Sequence, residues 1–346
     1  MHRLWQERKM KKFKTVIIGM GRMGRTRYAA MNKHGGYEVA GICDIEEKLL
    51  GGYEEHRYTD WRKCIDEEQP EAVVVCTVNR AIPDVVCYAL EKECHVFSEK
   101  PPGRNLEDAL RMKKSADANP NRVLKYGFNH RYHNSVMEAK ALIESGILGK
   151  VVSARGVYGK AADYEKTEWR NDKTVSGGGI LLDQGIHMLD LLRYFMGDFE
   201  SVEGFADNLV WKDAAIEDTA FLTLKTADGK IATMNSSAIQ WKHKFDLDIT
   251  LTNGYIALNG LLTSTKSYGE ERITYYKRDL EQKSGKIGNP KEYTMCFDED
   301  SSWNIEMAEF YDAITGTGKV VNGTPEDAVA IMRAIEAVYG KTWVTE

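Results

Sequence analysis

The sequence predicts an α/β protein in which a doubly wound parallel sheet is followed by a second α/β domain built on an antiparallel sheet. Two observations carry this. From residue 15 to 127 short apolar runs alternate with amphipathic helical stretches, the pattern of a parallel sheet with helical crossovers. Beyond residue 150 the runs are β-rich, and Asp228-Gly229 and Asn253-Gly254 are dipeptides suited to tight hairpins. The 346 residues suffice for two domains, expected at 10–128 and 129–346.

Taken in order, residues 1–9 read as a dispensable extension, and strands are expected at 15–18, 38–42, 72–77, 95–98 and 123–126. The run Ala72-Val73-Val74-Val75-Cys76 is continuously apolar, as a central strand covered on both faces must be. Helices are expected at 61–68, 83–91 and 106–118; Pro83 suits a first turn, and Asn105 with Asp108 three residues on marks a capped start. A helical piece at 135–145 ends on Gly146. Strands at 151–158, 201–206, 220–226, 231–238 and 245–252 then make the antiparallel sheet. Further strands at 272–277 and 292–296 lie in a polar, turn-rich stretch, and helices at 303–314 and 325–339 complete the chain.

Composition excludes several classes of function. Lys plus Arg total 47 against 52 for Asp plus Glu, a net charge of -5 that gives no electrostatic footprint for nucleic acid. The most apolar stretch, 179–195, is broken by Asp183, His187, Asp190 and Arg193, so no membrane partner is expected. Six cysteines form no C-x-x-C pair, and neither zinc nor disulfides are predicted; with no signal-peptide pattern, a cytoplasmic location is expected. His130 and His133 lack an obvious third ligand, so no metal site is predicted.

The first strand runs into Gly19-Met20-Gly21-Arg22-Met23-Gly24 and then a helical stretch, which puts G-x-G-x-x-G at a strand-to-helix turn. Gly19 permits the turn, Gly21 lets a pyrophosphate approach the backbone, and Gly24 lets the helix pack on the strand, with amides near Arg22 and Met23 facing the phosphates. Twenty residues beyond Gly24, Asp44 ends the second strand, where a carboxylate accepts from ribose hydroxyls and repels a 2'-phosphate. The expected cofactor is therefore NAD in preference to NADP.

Ser98-Glu99-Lys100-Pro101 places Lys100 at the carboxyl edge of the sheet, toward the nicotinamide end. Gly177-Gly178-Gly179 then precedes a helical segment carrying Asp183, His187 and Asp190 at spacings of four and three, which put all three on one face. Lys100, Asp183 and His187 are the expected catalytic groups.

In this order Gly19 to Gly24, Asp44, Glu99-Lys100-Pro101 and Asp183-x-Gly185-x-His187-x-x-Asp190 resemble the Gfo/Idh/MocA oxidoreductase family across nearly the whole chain. The resemblance implies a Rossmann domain followed by an α/β domain with a large, open, mostly antiparallel sheet. It also implies hydride transfer between a nicotinamide cofactor and a secondary alcohol or ketone of a sugar, polyol or sugar derivative, with the family's catalytic lysine, aspartate and histidine falling on Lys100, Asp183 and His187. The family's T-P-N-x-x-H run stands here as Thr77-Val78-Asn79-Arg80-Ala81-Ile82, without its proline and histidine. Thr77, Asn79, Glu99 and Lys100 are the expected cofactor contacts beyond the glycine turn.

Two further groups are expected to bind substrate hydroxyls or an anionic group: Arg131, with Asn129 and Tyr132, and the set Tyr158, Lys160, Trp169 and Arg170. An open sheet would leave Ile239, Leu247, Ile249 and Leu251 uncovered, so a homodimer or homotetramer is expected. The alternative is a non-catalytic, NAD(P)-sensing regulator of the same fold; retention of Lys100, Asp183 and His187 argues against it.

Overall fold

The structure, a computed structural model, describes residues 10–162, 168–278 and 291–342; the extension at 1–9 lies outside them. The first sheet contains β1 (Phe13–Ile18), β2 (Tyr37–Cys43), β3 (His56–Tyr58), β4 (Ala72–Val75), β5 (His95–Glu99) and β6 (Leu124–Gly127). Their order is β3-β2-β1-β4-β5-β6 and every pairing is parallel. The apolar run in β4 is central and fully buried, as its composition requires. The short edge strand β3 escaped the sequence reading because exposed His56 and Arg57 and half-buried Tyr58 carry no apolar signal.

Helices α1 (Arg22–His34), α2 (Trp61–Glu68), α3 (Ile82–Glu91) and α4 (Leu106–Ala118) make the crossovers. Asp60 caps α2 by accepting from the Arg62 and Lys63 amides, and Asn105 caps α4 by accepting from the Asp108 amide at 2.9 Å. The strand order reverses between β1 and β4, and a ligand crevice opens at their carboxyl ends.

The second half adds α5 (Asn134–Glu144), β7 (Val151–Ala161), α6 (Lys173–Ser176), a π turn at Leu181–Gly185, α7 (Ile186–Met196), and strands β8 (Phe199–Asp207), β9 (Thr219–Thr226), β10 (Ile231–Ser237), β11 (Ile239–Leu251), β12 (Gly254–Asn259), β13 (Glu271–Lys277) and β14 (Tyr293–Phe297). The strands form one eight-stranded sheet, antiparallel except where β7 and β10 pair in parallel. The two Gly-containing turns join β9 to β10 and β11 to β12 as hairpins.

The expected uncovered apolar residues need correction. Leu247 pairs with Gly156 and Ile249 with Ala154, so with Leu251 they lie on the buried side of the pleat, where Met188 of α7 packs on Gly156. Ile239 is half-buried. The outward side instead carries Phe205 and Phe221, directly opposed across β8 and β9 and 79% and 57% exposed, together with Ile231. Period-two alternation gives the spacing of a strand's two faces, and only the packed helix decides which is inside.

The last two helices are α8 (Ser302–Thr315) and α9 (Pro325–Thr342). Met307, Phe310 and Ile314 of α8 share a core with Phe13, Ile17, Ile42 and Phe97, so the chain returns to cover the first sheet.

Candidate active site

At the crevice the glycine turn has little room for side chains. Gly19 has φ +96°, and a Cβ there would sit 2.5 Å from the Cys76 carbonyl oxygen; a Cβ at Gly24 would collide with the Gly19 carbonyl. At Gly21 the direction of the missing Cβ is open space. Gly21 caps α1 without a side-chain acceptor, and no acidic residue stands in the first turn. These free amides at a positive helix end fit an anionic pyrophosphate. Asp44 accepts from the Met20 amide at 2.7 Å and from the Glu46 amide at 2.9 Å, which fixes its carboxylate beside the turn with lone pairs left for ribose hydroxyls. Arg22, half-buried Met23 and Thr77 lie at the same edge of the sheet.

The structure brings Lys100, Asp183 and His187 together. Lys100 follows β5, and its Nζ donates to the main-chain carbonyl of Asp183 at 2.6 Å, inside the π turn. π turns recur at functional sites because they re-aim side chains out of helical register. Burial pulls the Lys100 ammonium below the ordinary lysine range, with Asp183 opposing the shift. Burial alone would raise the Asp183 carboxyl, but Lys160, Lys100 and Arg170 together hold it far below the usual carboxylate range. Its oxygens meet Lys160 Nζ at 2.8 Å and Arg170 Nε at 3.5 Å. The His187 imidazole is buried and driven well below the ordinary histidine range by that burial, then by Lys100 and His133.

Beside Asp183 lies an open cleft lined by Trp169, Trp211, Lys160, Arg170 and Asn79. Asn79 donates to the Ser176 carbonyl at 2.7 Å, which ties the loop after β4 to α6. The Arg170 guanidinium lies over the Trp169 ring, 4.3 Å from its centroid, and a cleft lined by two tryptophans and a few fixed polar groups suits a ring with apolar C–H faces and hydroxyl edges.

Three expected site residues, Glu99, Arg131 and Tyr158, stand elsewhere, and so does Asp190, expected on the face of Asp183. The Glu99 side chain is buried in an ion pair with Arg27 at 2.6 Å, so it braces the Lys100 segment. Arg131 is buried against Asp190 at 2.6 Å and Asp327 at 3.2 Å, away from the cleft. That pairing withdraws Asp190 from the face shared with Asp183, because the π turn breaks the helical phase on which the shared face was reckoned. The Tyr158 hydroxyl lies 2.9 Å from His130 Nε2, behind His187, and does not line the cleft.

Glu217 and Trp211 carry no motif and escaped the sequence reading. Glu217, with no exposed surface, accepts from the Gly179 and Leu181 amides at 2.8 and 2.9 Å and from the Tyr339 hydroxyl at 2.7 Å, anchoring the glycine run and the π turn. Glu217→Leu is expected to lower unfolding stability by about 1–3 kcal/mol by stranding those donors, measured by chemical denaturation. Trp211 is placed by Asp218, which accepts from the amides of Leu209, Val210 and Trp211 at 3.1, 2.7 and 2.9 Å. Three consecutive amides gathered on an acid seven to nine residues away leave no periodic trace in a sequence.

A dinucleotide cradle opening onto a lysine, an aspartate and a histidine defines an oxidoreductase by class, and comparison with known proteins gives the family. Residues 13–128 match the oxidoreductase family, NAD-binding Rossmann fold, and residues 136–257 match the GFO/IDH/MocA C-terminal domain. The chain belongs to the Gfo/Idh/MocA oxidoreductase family. It is 30% identical to myo-inositol 2-dehydrogenase of Thermotoga maritima over 64% of this chain and 67% of that one. It is 33% identical to levoglucosan dehydrogenase of Pseudarthrobacter phenanthrenivorans over 43% of this chain and 38% of that one. The fold superposes on a levoglucosan dehydrogenase complexed with NADH and levoglucosan with a TM-score of 0.83, at 21% identity, covering 96% of this chain and 98% of that one.

Proposed function

We propose that this protein is an oxidoreductase transferring a hydride between a nicotinamide cofactor, NAD in preference to NADP, and a secondary alcohol or ketone of a sugar, polyol or sugar derivative. The observation that carries the reading is the contact of Lys100 with Asp183 beside a tryptophan-lined cleft, with neutral His187 one turn on. The relatives named inositol and levoglucosan dehydrogenases support the substrate class. In this reading residues 10–128 carry the dinucleotide and residues 129–346 the substrate.

When bound, NAD supplies the hydride acceptor, and Gly19 to Gly24 with Asp44 would hold it. Lys100 donates a hydrogen bond to the substrate oxygen and stabilises the alkoxide as charge develops there. His187, neutral and buried, accepts the hydroxyl proton. Asp183 is held anionic by three cations, so it orients hydroxyls and does not exchange protons in the neutral range. Trp169 and Trp211 line the cleft beside the ring and exclude water.

No helix among the described residues is long and apolar enough to cross a membrane, and Cys43, Cys64, Cys87 and Cys94 are buried free thiols. Both support a reducing, cytoplasmic setting. The exposed pair Phe205 and Phe221 supports a homo-oligomer assembled through the outer side of the large sheet.

The test is NADH formation with polyols, free sugars and anhydro sugars, run in parallel with NADP. Turnover of one of these classes with NAD is the expected result; silence across the panel while NAD still binds would favour the regulatory reading. In the same assay Asp44→Ala is expected to erode the preference for NAD by about 10-fold or more, because the carboxylate that disfavours a 2'-phosphate is gone. An unchanged NAD to NADP ratio of kcat/KM would remove Asp44 from cofactor selection.

A further inference from the structure

His187 is buried, and its Nδ1 has no hydrogen-bond partner among the described residues. The carboxylate of Asp183, in the turn before it, is engaged by Lys160 and Arg170. What lies against the ring is a second buried histidine. The His130 and His187 rings stack with centroids 3.8 Å apart and planes 14° from parallel.

His130 is clamped at both ring nitrogens. Its Nδ1 lies 3.1 Å from Asn129 Oδ1, and its Nε2 lies 2.9 Å from the Tyr158 hydroxyl. The Asn129 amide nitrogen donates to Ser302 Oγ at 3.3 Å, which leaves Oδ1 facing the imidazole. This network assigns the proton to Nδ1 of His130, with Nε2 accepting from Tyr158. Such a ring can neither turn nor take a second proton without breaking a bond.

We infer that His130 is a positioning residue for the reaction proposed above: a clamped, neutral platform that fixes the plane of the His187 imidazole and shields it from water. The inference rests on the reading of His187 as the proton acceptor. Every group facing His187 is consistent with the role. Lys100 approaches from the end of β5, and Asp183 precedes it in its own helical segment. From the turn after β6 come His130 and His133, the latter tied to Glu271 at 2.7 Å, and from β7 comes Tyr158, its ring centroid 6.5 Å from that of His187. Among the described residues no carboxylate pairs with the His187 ring to compensate a charge on it, and the stacked His130 face supplies contact in place of solvent.

The test uses the full-length enzyme with His130→Ala and His130→Phe. The His187 C2–H resonance, assigned by its loss in His187→Gln, is titrated by NMR. In His130→Ala the emptied platform admits water, so the titration of His187 moves up toward the ordinary histidine range. The acid limb of kcat/KM moves up with it, and kcat falls by about 10- to 100-fold with substrate KM nearly unchanged. His130→Phe keeps the flat apolar face, so the titration stays low and most of kcat returns. An unmoved titration in His130→Ala, or a fall in kcat in both variants with the acid limb unmoved, overturns the inference. The titration needs no substrate, so it decides the role of His130 even if wild type turns over none of the sugars tested, a result that would overturn only the proposed reaction.

Discussion

Lys100→Met is expected to lower turnover by roughly 10²–10⁴-fold while leaving NAD affinity within about threefold of wild type. The separation follows from the geometry. Lys100 Nζ bonds to the Asp183 carbonyl, whereas the turn proposed to hold the pyrophosphate is Gly19 to Gly24, which Lys100 does not contribute to. Burial depresses the Lys100 ammonium, so its protonated form is lost at a lower pH than for a free lysine. The alkaline limb of the wild-type kcat profile should therefore fall below the ordinary lysine range, and Lys100→Met should abolish that limb along with most of the rate. Steady-state kinetics across pH and cofactor binding by fluorescence check both points. Turnover retained in Lys100→Met would remove the residue from the chemistry.

The largest stability effect is expected at Arg27. Its guanidinium has no exposed surface and lies between the rings of Phe97 and Trp303, 4.3 and 4.7 Å from their centroids. It pairs with Glu99 and with Glu306 of α8, each at 2.6 Å. Arg27→Met leaves two buried carboxylates without their cation and should cost about 3–5 kcal/mol, read from denaturant unfolding. The loss should depend on pH. Burial already raises the Glu306 carboxyl despite Arg27, so Glu306 favours the fold at acid pH and that contribution is lost as pH rises through its folded value. Without Arg27 the carboxyl is pushed higher still, so the deficit should widen from acid to neutral pH. A variant within about 1 kcal/mol of wild type at neutral pH would show that the pair does not hold α8 to the first sheet. Because Glu99 precedes Lys100, the same substitution should also lower kcat.

The comparison of sequence with structure turns on the range of each interaction. The start of α4 was legible because Asn105 caps an amide only three residues away, whereas the cap that Asp60 gives α2 was not read from the sequence. The glycine turn was legible because Gly19, Gly21 and Gly24 answer constraints of the local backbone. The position of Asp44 beside the turn was legible for a related reason, since the end of the second strand must lie beside the end of the first in a parallel βαβ unit. Where the reading failed, the partner was remote. Arg131 is a polar residue after a strand until Asp190, 59 positions away, takes its guanidinium. Glu99 belongs to a motif, yet its contact is Arg27, 72 positions earlier.

By itself, then, the sequence determined the succession of elements and the glycine turn, and singled out Lys100, Asp183 and His187 as candidates, because periodicity, capping and glycine geometry act over a few residues. The tertiary structure decided which side of the large sheet is covered, that Asp183 serves Lys160 and Arg170, and that His130 lies against His187. Those outcomes depend on packing and on buried charges finding partners, and a buried polar group is held by whichever neighbour the completed fold brings within about 3 Å of it.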